Sequence, residues 1–249
     1  MKNKLSVIVN THSSVKDVWE IFESQFIKHF KNINTYNIEY YCFSNVEMYS
    51  KIFKTILYDN NDAYSKQFYN CIKHIITPYV LHLEEDYILY DDAKINDIMK
   101  LIDILDNTDL DFIKLIKGPE KLKKSKYGNY LYELDNNDSN FYTNQATLWG
   151  TRILQKIYEI SPDMGIANKG NLPMFEPNAW KLCKYLGVKG TFYYKGEALR
   201  GKAHHDSEIF PYIATAIIKG KWNIKEYSNE LIPLLNEHKI NKNIRGIVN

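Results

Sequence analysis

Three carboxylates follow an apolar stretch in residues 81–86, LHLEED, and their types and spacing suggest chemistry. In open α/β sheets, ligands bind outside the carboxyl ends of the strands. Carboxylates placed there repel one another unless a cation joins them, and Mg²⁺ or Mn²⁺ binds through carboxylate oxygens together with substrate phosphates. Glu84, Glu85 and Asp86 therefore predict a site for a divalent cation, with a solvated strand end as the alternative.

Two adjacent histidines, His204 and His205, form a second candidate. A histidine can ligate a metal or donate a hydrogen bond to a phosphate oxygen. Neighbouring side chains of an extended segment point to opposite sides, so we expect at most one of the two to reach a shared site. A surface histidine or a structural one is the alternative.

Glu176 is the third candidate, and it lies just before a predicted helix over residues 178–186. At that place its charge would complement the helix dipole. It would instead serve as a general base if it lay within hydrogen-bond reach of an attacking hydroxyl. The sequence leaves both roles open.

Composition and missing motifs exclude several classes of protein. The formal net charge of +2 argues against a protein that coats nucleic acid, so we expect no nucleic-acid partner. The motifs of dinucleotide dehydrogenases, P-loop NTPases, α/β-hydrolases and zincins are missing. The apolar run after Met1 is too short for a secretory leader, and no stretch approaches the roughly 20 apolar residues of a membrane span. With three widely separated cysteines, we expect a cytoplasmic protein without a transmembrane segment.

The charges are distributed unevenly along the chain. Residues 81–93 hold five carboxylates and no Lys or Arg, whereas residues 117–126 hold five lysines and one Glu. The second segment is predicted to be a loop, whose lysines are either solvated or close over a substrate phosphate. This pattern points to a phosphate-bearing small molecule bound together with its cation.

The elements that must position these residues are read from hydrophobic periodicity, and they alternate between strands and helices. The predicted strands are residues 5–9, 38–43, 53–58, 79–83, 112–116 and 191–194. The predicted helices are residues 15–30, 63–76, 93–105, 148–160, 178–186 and 208–219, and residues 161–173 are predicted to form a loop. Such alternation predicts an α/β fold with a mostly parallel sheet. We expect one domain over residues 1–225 and a C-terminal extension over residues 226–249.

The order of these features resembles the GT-A glycosyltransferases, in particular the large family-2-like group. Residues 5–13, LSVIVNTHS, are similar to the first strand of that family, VSVIVPTYN. A helix with Asn70, the step TPYV at residues 77–80 and the DxD-like LEED at residues 83–86 then follow in the family's order. Glu176 and Pro177 resemble the acceptor-side ED motif. The resemblance extends over residues 5–206.

The resemblance implies a GT-A-like, Rossmann-like fold with a mostly parallel central sheet flanked by helices. It implies that Asp86 and Glu84 bind Mn²⁺ or Mg²⁺ with His205 or His204, and that Glu176 is the catalytic base. It further implies that the nucleotide sugar is bound by six residues: Thr11, His12, Ser44, Asn70, Glu84 and Glu85.

The leading hypothesis is thus a metal-dependent glycosyltransferase. It would move a sugar from a UDP- or GDP-type nucleotide-diphosphate donor to a glycan or another hydroxyl acceptor. One alternative is a nucleotidyltransferase, which also uses carboxylate-bound Mg²⁺ on a related sheet. Another is a catalytically inactive module that binds glycans or nucleotides, because Ser44 and Pro177 stand where the family has Asp.

Overall fold

The structure is a computed structural model, and it describes residues 4–31, 36–164 and 172–248. The strands are β1 Leu5–Asn10, β2 Glu39–Ser44, β3 Lys54–Leu57, β4 Tyr79–Glu84, β5 Ile88–Leu89, β6 Phe112–Lys114, β7 Leu131–Glu133, β8 Thr147–Gly150, β9 Gly190–Tyr193, β10 Leu199–Arg200, β11 His204–His205, β12 Tyr212–Ile213, β13 Ile217–Ile218 and β14 Lys221–Trp222. The α-helices are α1 Lys16–His29, α2 Tyr64–Ile72, α3 Ile95–Asp106, α4 Thr151–Ile160, α5 Leu172–Leu186, α6 Ile224–Glu237 and α7 Lys242–Arg245.

Eight strands form the central sheet, in the order β3-β2-β1-β4-β8-β6-β9-β7. β1 pairs in parallel with β2 and β4, and the β2–β3 and β6–β9 pairs are also parallel. β8 runs antiparallel between β4 and β6, and β7 is an antiparallel edge strand. The predicted α/β fold with a mostly parallel central sheet and flanking helices is confirmed.

The sheet is covered on both faces, which is why its central strands β1 and β4 are mostly apolar and buried. Val7 and Val9 of β1 face the layer that contains α1 and α3, whereas Ile8 faces the layer that contains α2, α4 and α5. α1 buries its apolar side chains at three- and four-residue spacing against the first layer. Because β1 and β4 are parallel, their carboxyl ends, at Asn10 and Glu84, lie side by side.

Two sequence predictions are wrong. Residues 148–160 are a strand followed by a helix, because the chain is extended at Gly150 and helical from Thr151. Residues 208–219 contain no helix: β12 pairs with β5, and β13 forms a hairpin with β14. The apolar residues of this segment are buried against neighbouring strands, and tertiary pairing overrides its helical pattern.

Two other segments are extended or reshaped. α5 begins at Leu172 rather than at residue 178 and contains Pro177, so the end of the predicted loop over residues 161–173 is helical. Residues 165–171 of that loop lie outside the described residues. α6 packs Leu231, Leu234 and Leu235 with Val18 and Ile21 of α1. In the described ranges, no helix has the length and apolarity needed to cross a bilayer.

Candidate active site

Glu84 ends β4 and is buried, with 6% of its surface exposed. The register of β1 and β4 places Asn10 beside it, and Asn10 Nδ2 donates to Glu84 Oε2 at 3.1 Å. Burial raises the pKa of the Glu84 carboxyl to about 8, the hydrogen bond from Asn10 opposes that shift, and the charge of Glu176 adds to it. The surroundings of Glu84 therefore stabilise its protonated, uncharged form.

Asn144 joins the predicted metal side of the site to the predicted base. Its Nδ2 donates to Glu84 Oε1 at 3.3 Å, and its backbone N–H donates to Glu176 Oε1. The same Nδ2 lies 3.4 Å from the hydroxyl of Tyr64, while Oδ1 is buried without a hydrogen-bond partner. Asn144 lies in an irregular segment, and no motif in the sequence marks it.

Glu85 and Asp86 continue the acidic run and are partly buried. Burial raises the pKa of Asp86 to about 7, and the charge of Glu84 adds to the shift, whereas the backbone N–H of Ile217 donates to Asp86 Oδ2 at 3.4 Å and opposes it. The pKa of Glu85 is raised well above its ordinary value by burial and then by Asp86 and Glu84. Among the described residues, no Lys or Arg forms an ion pair with any of these three carboxylates.

The donor set fits a hard divalent cation. Carboxylate oxygens and the unpartnered amide oxygen of Asn144 are ligands of the kind that Mg²⁺ and Mn²⁺ accept. A second possible metal site lies elsewhere. Among the described residues, His29, Asp91 and Asp92 are the group whose ligand atoms lie within 4.8 Å of one another. Ion pairs from His29 and from Lys31 to Asp92 explain that group without a metal.

The two histidines have different partners, as the extended segment predicts. Gln145 Nε2 donates to His204 Nε2 at 3.1 Å, so His204 contacts the residue next to Asn144. His205 Nδ1 donates to the Glu197 carbonyl at 2.9 Å, and its Nε2 accepts from Lys117 Nζ at 3.2 Å. In the described part of the chain, no hydrogen bond or ion pair joins either histidine to Glu84 or Asp86.

Three of the residues expected to bind the nucleotide meet where β1 and β2 end. Thr11 N–H donates to the Phe43 carbonyl, and Thr11 Oγ1 is buried without a partner. His12 accepts from the backbone N–H of Ser14 at 3.0 Å and donates from Nε2 to Asn60. Ser44 is fully buried beside them.

Tyr58 connects this group to the acidic run. Its hydroxyl donates to the Thr11 carbonyl at 2.8 Å, and its pKa is raised by burial and then by the charges of Glu85 and Glu84. Asn70 lies apart on α2, where its Nδ2 donates to Asp62 at 3.3 Å. Among the described residues, no hydrogen bond links Asn70 to Thr11, and its expected role stays a prediction.

A buried ion pair lies near Glu176, the predicted base. Lys114 Nζ is 3.1 Å from Glu120 Oε1 and donates to the Asn140 carbonyl at 2.6 Å, and both charged side chains are buried. The pKa of Glu176 is raised by burial, while the Asn144 N–H and the charge of Lys114 oppose that shift. The sequence contains one sign of this buried ion pair: Lys114 lies inside the apolar stretch FIKLI at residues 112–116.

The lysines of residues 117–126 do not act as one group. Lys117 reaches His205. Lys121, Lys123 and Lys126 instead line a cavity of about 920 Å³. That cavity also involves Gly190 at the start of β9, and none of the predicted site residues lines it.

No protein-family model matches the sequence, and no curated protein matches it. Among solved structures, the chain is similar to TarS of S. aureus, with a TM-score of 0.50 and 13% identity over 94% of this chain and 39% of TarS. A structure of TarS 1–349 with UDP gives a TM-score of 0.49 and 10% identity over 96% of this chain and 66% of that one. The bifunctional IspDF from Campylobacter jejuni gives a TM-score of 0.43 and 14% identity over 78% of this chain and 50% of that one.

The chain therefore spans less than two thirds of each of these proteins, and at such identities the likeness concerns the fold alone. TarS is a GT-A-like glycosyltransferase, so the chain has a GT-A-like fold.

Proposed function

We propose that the protein is a metal-dependent glycosyltransferase that moves a sugar from a nucleoside diphosphate donor to a hydroxyl group of a glycan or a related acceptor. The observation that supports this function best is the bridge through Asn144. It holds a carboxylate of the metal-binding type, Glu84, and a carboxylate of the general-base type, Glu176, on one side chain and its backbone. An inverting, metal-dependent sugar transfer uses these two functions next to each other.

Glu84 and Asp86 would hold Mn²⁺ or Mg²⁺ with His204 or His205, and His204 is hydrogen-bonded to Gln145, the residue next to Asn144. When bound, the cation would neutralise the diphosphate leaving group. Glu85 is a further acidic neighbour that we assign to the nucleotide sugar, and its charge raises the pKa of Tyr58, whose hydroxyl donates to the Thr11 carbonyl. Thr11, His12 and Ser44, together with Asn70, are the residues that we assign to the nucleotide.

Glu176 would act on the acceptor. In an inverting transfer the acceptor oxygen forms a bond to the anomeric carbon, and the bond from that carbon to the diphosphate oxygen breaks with its electron pair. The hydroxyl proton passes to Glu176, and burial raises the pKa of that carboxyl above its ordinary value, which makes it a stronger base. In a retaining transfer Glu176 positions the acceptor instead.

The test is transfer or hydrolysis of UDP- and GDP-sugars with Mn²⁺. UDP-GlcNAc and UDP are convenient first ligands, since TarS has been solved with each. We expect turnover that Asp86→Ala abolishes, while Asp91→Asn, an exposed carboxylate close in sequence, leaves turnover unchanged. Full activity of Asp86→Ala would refute the metal assignment.

The same assays separate the two alternatives. A nucleotidyltransferase would release pyrophosphate from a nucleoside triphosphate and leave a sugar nucleotide intact. A binding module would raise the melting temperature with a nucleotide and give no product, because a ligand that binds only the folded state stabilises it. No shift with any nucleotide diphosphate, with or without Mn²⁺, would count against the proposed function.

A further inference from the structure

The C-terminal segment, residues 242–248, is hydrogen-bonded to β14, and these bonds fix the position of Arg245. Gly246 follows α7 with φ 81° and ψ 174°, a conformation that essentially only glycine adopts. The Trp222 N–H donates to the Gly246 carbonyl and the Val248 N–H donates to the Trp222 carbonyl, both at 3.0 Å. The Arg245 guanidinium lies 5.8 Å from the centroid of the buried Trp222 ring. These contacts of the C-terminal segment hold the Arg245 guanidinium in a defined position.

Arg245 is only partly committed to protein partners. Its Nε and Nη2 donate to the two carboxylate oxygens of Asp17, and its Nη1 donates to the Gly220 carbonyl at 3.3 Å. A guanidinium has five N–H donors, so two remain after these three bonds. Arginine binds phosphate in this forked way, with one side of the group held and the other presented.

These groups line a cavity of about 610 Å³ at the start of α1, directly after the loop that follows β1. Lys239 lines the same cavity, is exposed, and forms no ion pair in the described part of the chain. Arg245 and Lys239 face a single acid, Asp17, so the cavity has an excess of positive charge. The first helix after the first strand is where α/β proteins bind phosphate groups.

The cavity adjoins the acidic run. Asp86 Oδ2 accepts from the Ile217 N–H at 3.4 Å, and Ile217 is paired with Trp222 in the hairpin of β13 and β14. Gly220 lies in the turn of that hairpin and accepts from Arg245 through its carbonyl, so the hairpin connects Asp86 with the cavity. A diphosphate next to Glu84, Glu85 and Asp86 is repelled by those carboxylates, and a cation on its other side compensates for that repulsion.

We propose that Arg245 and Lys239 form a phosphate-binding subsite that receives the diphosphate of the donor, so that the C-terminal segment completes the donor site. This inference rests on the proposed function, because it takes the ligand of the neighbouring acidic run to be a nucleoside diphosphate. It assigns a binding role to the last turn of the chain, which the sequence left open.

The experiment is calorimetric titration of the whole protein with UDP and with uridine in the presence of Mn²⁺, and with GDP and guanosine as a second pair. For Arg245→Gln we expect the Kd for the diphosphate to rise about tenfold or more, since a charge-assisted phosphate contact is lost. The Kd for the nucleoside should stay unchanged. Lys239→Gln should show a smaller loss, and Lys242→Gln, on the same helix as Arg245 but outside this cavity, should show none.

Asp17→Asn separates binding from folding. It removes the ion pair with Arg245 but keeps the guanidinium, so it should retain or strengthen diphosphate binding. If Arg245 merely supported the fold, Asp17→Asn would weaken binding as Arg245→Gln does, and the inference would be wrong. Diphosphate binding by Arg245→Gln at the wild-type Kd would overturn the subsite alone. If the wild type bound neither diphosphate, the proposed function and the subsite would fail together.

Discussion

At the scale of single residues, Asn144 forms hydrogen bonds with three residues of the candidate site. Its side chain supports Glu84 and Tyr64, and its backbone supports Glu176. Asn144→Ala keeps the backbone bond to Glu176 but removes the donor to Glu84. We expect sugar transfer to fall by about tenfold to a hundredfold, because groups that position catalytic carboxylates have effects of this order.

The comparison for this prediction is Asn136→Ala, a change on the same irregular segment outside this network. It should leave transfer unchanged, as measured by product formation at saturating donor. The circular dichroism spectrum and melting curve of Asn144→Ala should remain those of a folded protein. Wild-type turnover by Asn144→Ala would show that Glu84 does not depend on this donor.

Lys114 forms a buried ion pair with Glu120 and a hydrogen bond to the Asn140 carbonyl, and its charge lowers the pKa of Glu176. Lys114→Met leaves Glu120 buried without its cation, and among the described residues only the Gly118 N–H would still donate to it. We expect a loss of about 3–5 kcal/mol in the free energy of unfolding. Urea denaturation is the measurement.

An exposed ion pair provides the contrast. Lys123→Met breaks the bond to Glu133, where the lysine side chain is 78% exposed, and should cost less than about 1 kcal/mol. Adding Glu120→Gln to Lys114→Met should recover part of the lost stability, since the unpaired charge is then removed. Equal costs for the two lysine changes would contradict the buried character of the first pair.

At the scale of elements, β9 can approach β6 only because its first residue is glycine. A Cβ at Gly190 would lie 2.1 Å from Cζ of Phe112, whose ring stacks on Trp149 with centroids 4.2 Å apart. Gly190→Ala should therefore destabilise the protein by about 1–3 kcal/mol or more, through overpacking of a buried ring. Gly150→Ala is the control, because its nearest atoms lie at ordinary contact distances of 3.5 and 3.6 Å. A melting temperature of Gly190→Ala equal to that of the wild type would contradict this packing.

Much of the first half of the fold could be predicted because each element has a periodicity of its own. β1 and β4 are short apolar runs bounded by polar residues, and α1 shows apolar residues at helical spacing. The second half could not be predicted in the same way. β8 has only four residues and runs directly into α4, so its apolar residues fit the helical pattern of α4 itself.

The candidate site was predictable where it lies at a strand end and hidden where it lies in a loop. The run from Glu84 to Asp86 is marked by its position after β4. Asn144 is separated from Glu84 by 60 residues, and only the antiparallel insertion of β8 beside β4 brings the two together. Contacts of that range depend on topology, and composition carries no sign of them.

At the scale of the whole molecule, the small net charge of +2 hides an arrangement of opposite charges. The acidic run ends the central strand β4, and the cations around the candidate site come from separate parts of the chain. Lys114 of β6 lowers the pKa of Glu176 through its charge, and Arg245 of α7 lines the cavity beside the β13–β14 hairpin. The site is therefore assembled from elements that are distant in sequence, and it depends on the whole fold.

This concentration of buried carboxylates predicts how stability depends on pH. The pKa is raised from 4.5 to about 8 for Glu84 and from 3.8 to about 7 for Asp86, chiefly by burial, so near these values the folded state binds more protons than the unfolded state. Their stabilising contribution is present at low pH and is lost as pH rises through the folded values. His82 acts in the opposite sense, because burial lowers its pKa from 6.5 to about 3, but that effect is complete above about pH 6.5.

Between about pH 6.5 and 8, the free energy of unfolding of the metal-free protein should therefore fall, by at most about 1.4 kcal/mol per pH unit for each proton involved. Urea denaturation in EDTA at several pH values measures it. Glu84→Gln should flatten the slope, since an amide does not titrate. Mn²⁺ should also flatten it, because a cation bound to these carboxylates favours their charged form in the folded state. A slope that neither Glu84→Gln nor Mn²⁺ changes would mean that other groups titrate in this range, and a stability that rises from pH 6.5 to 8 would contradict the burial of these carboxylates.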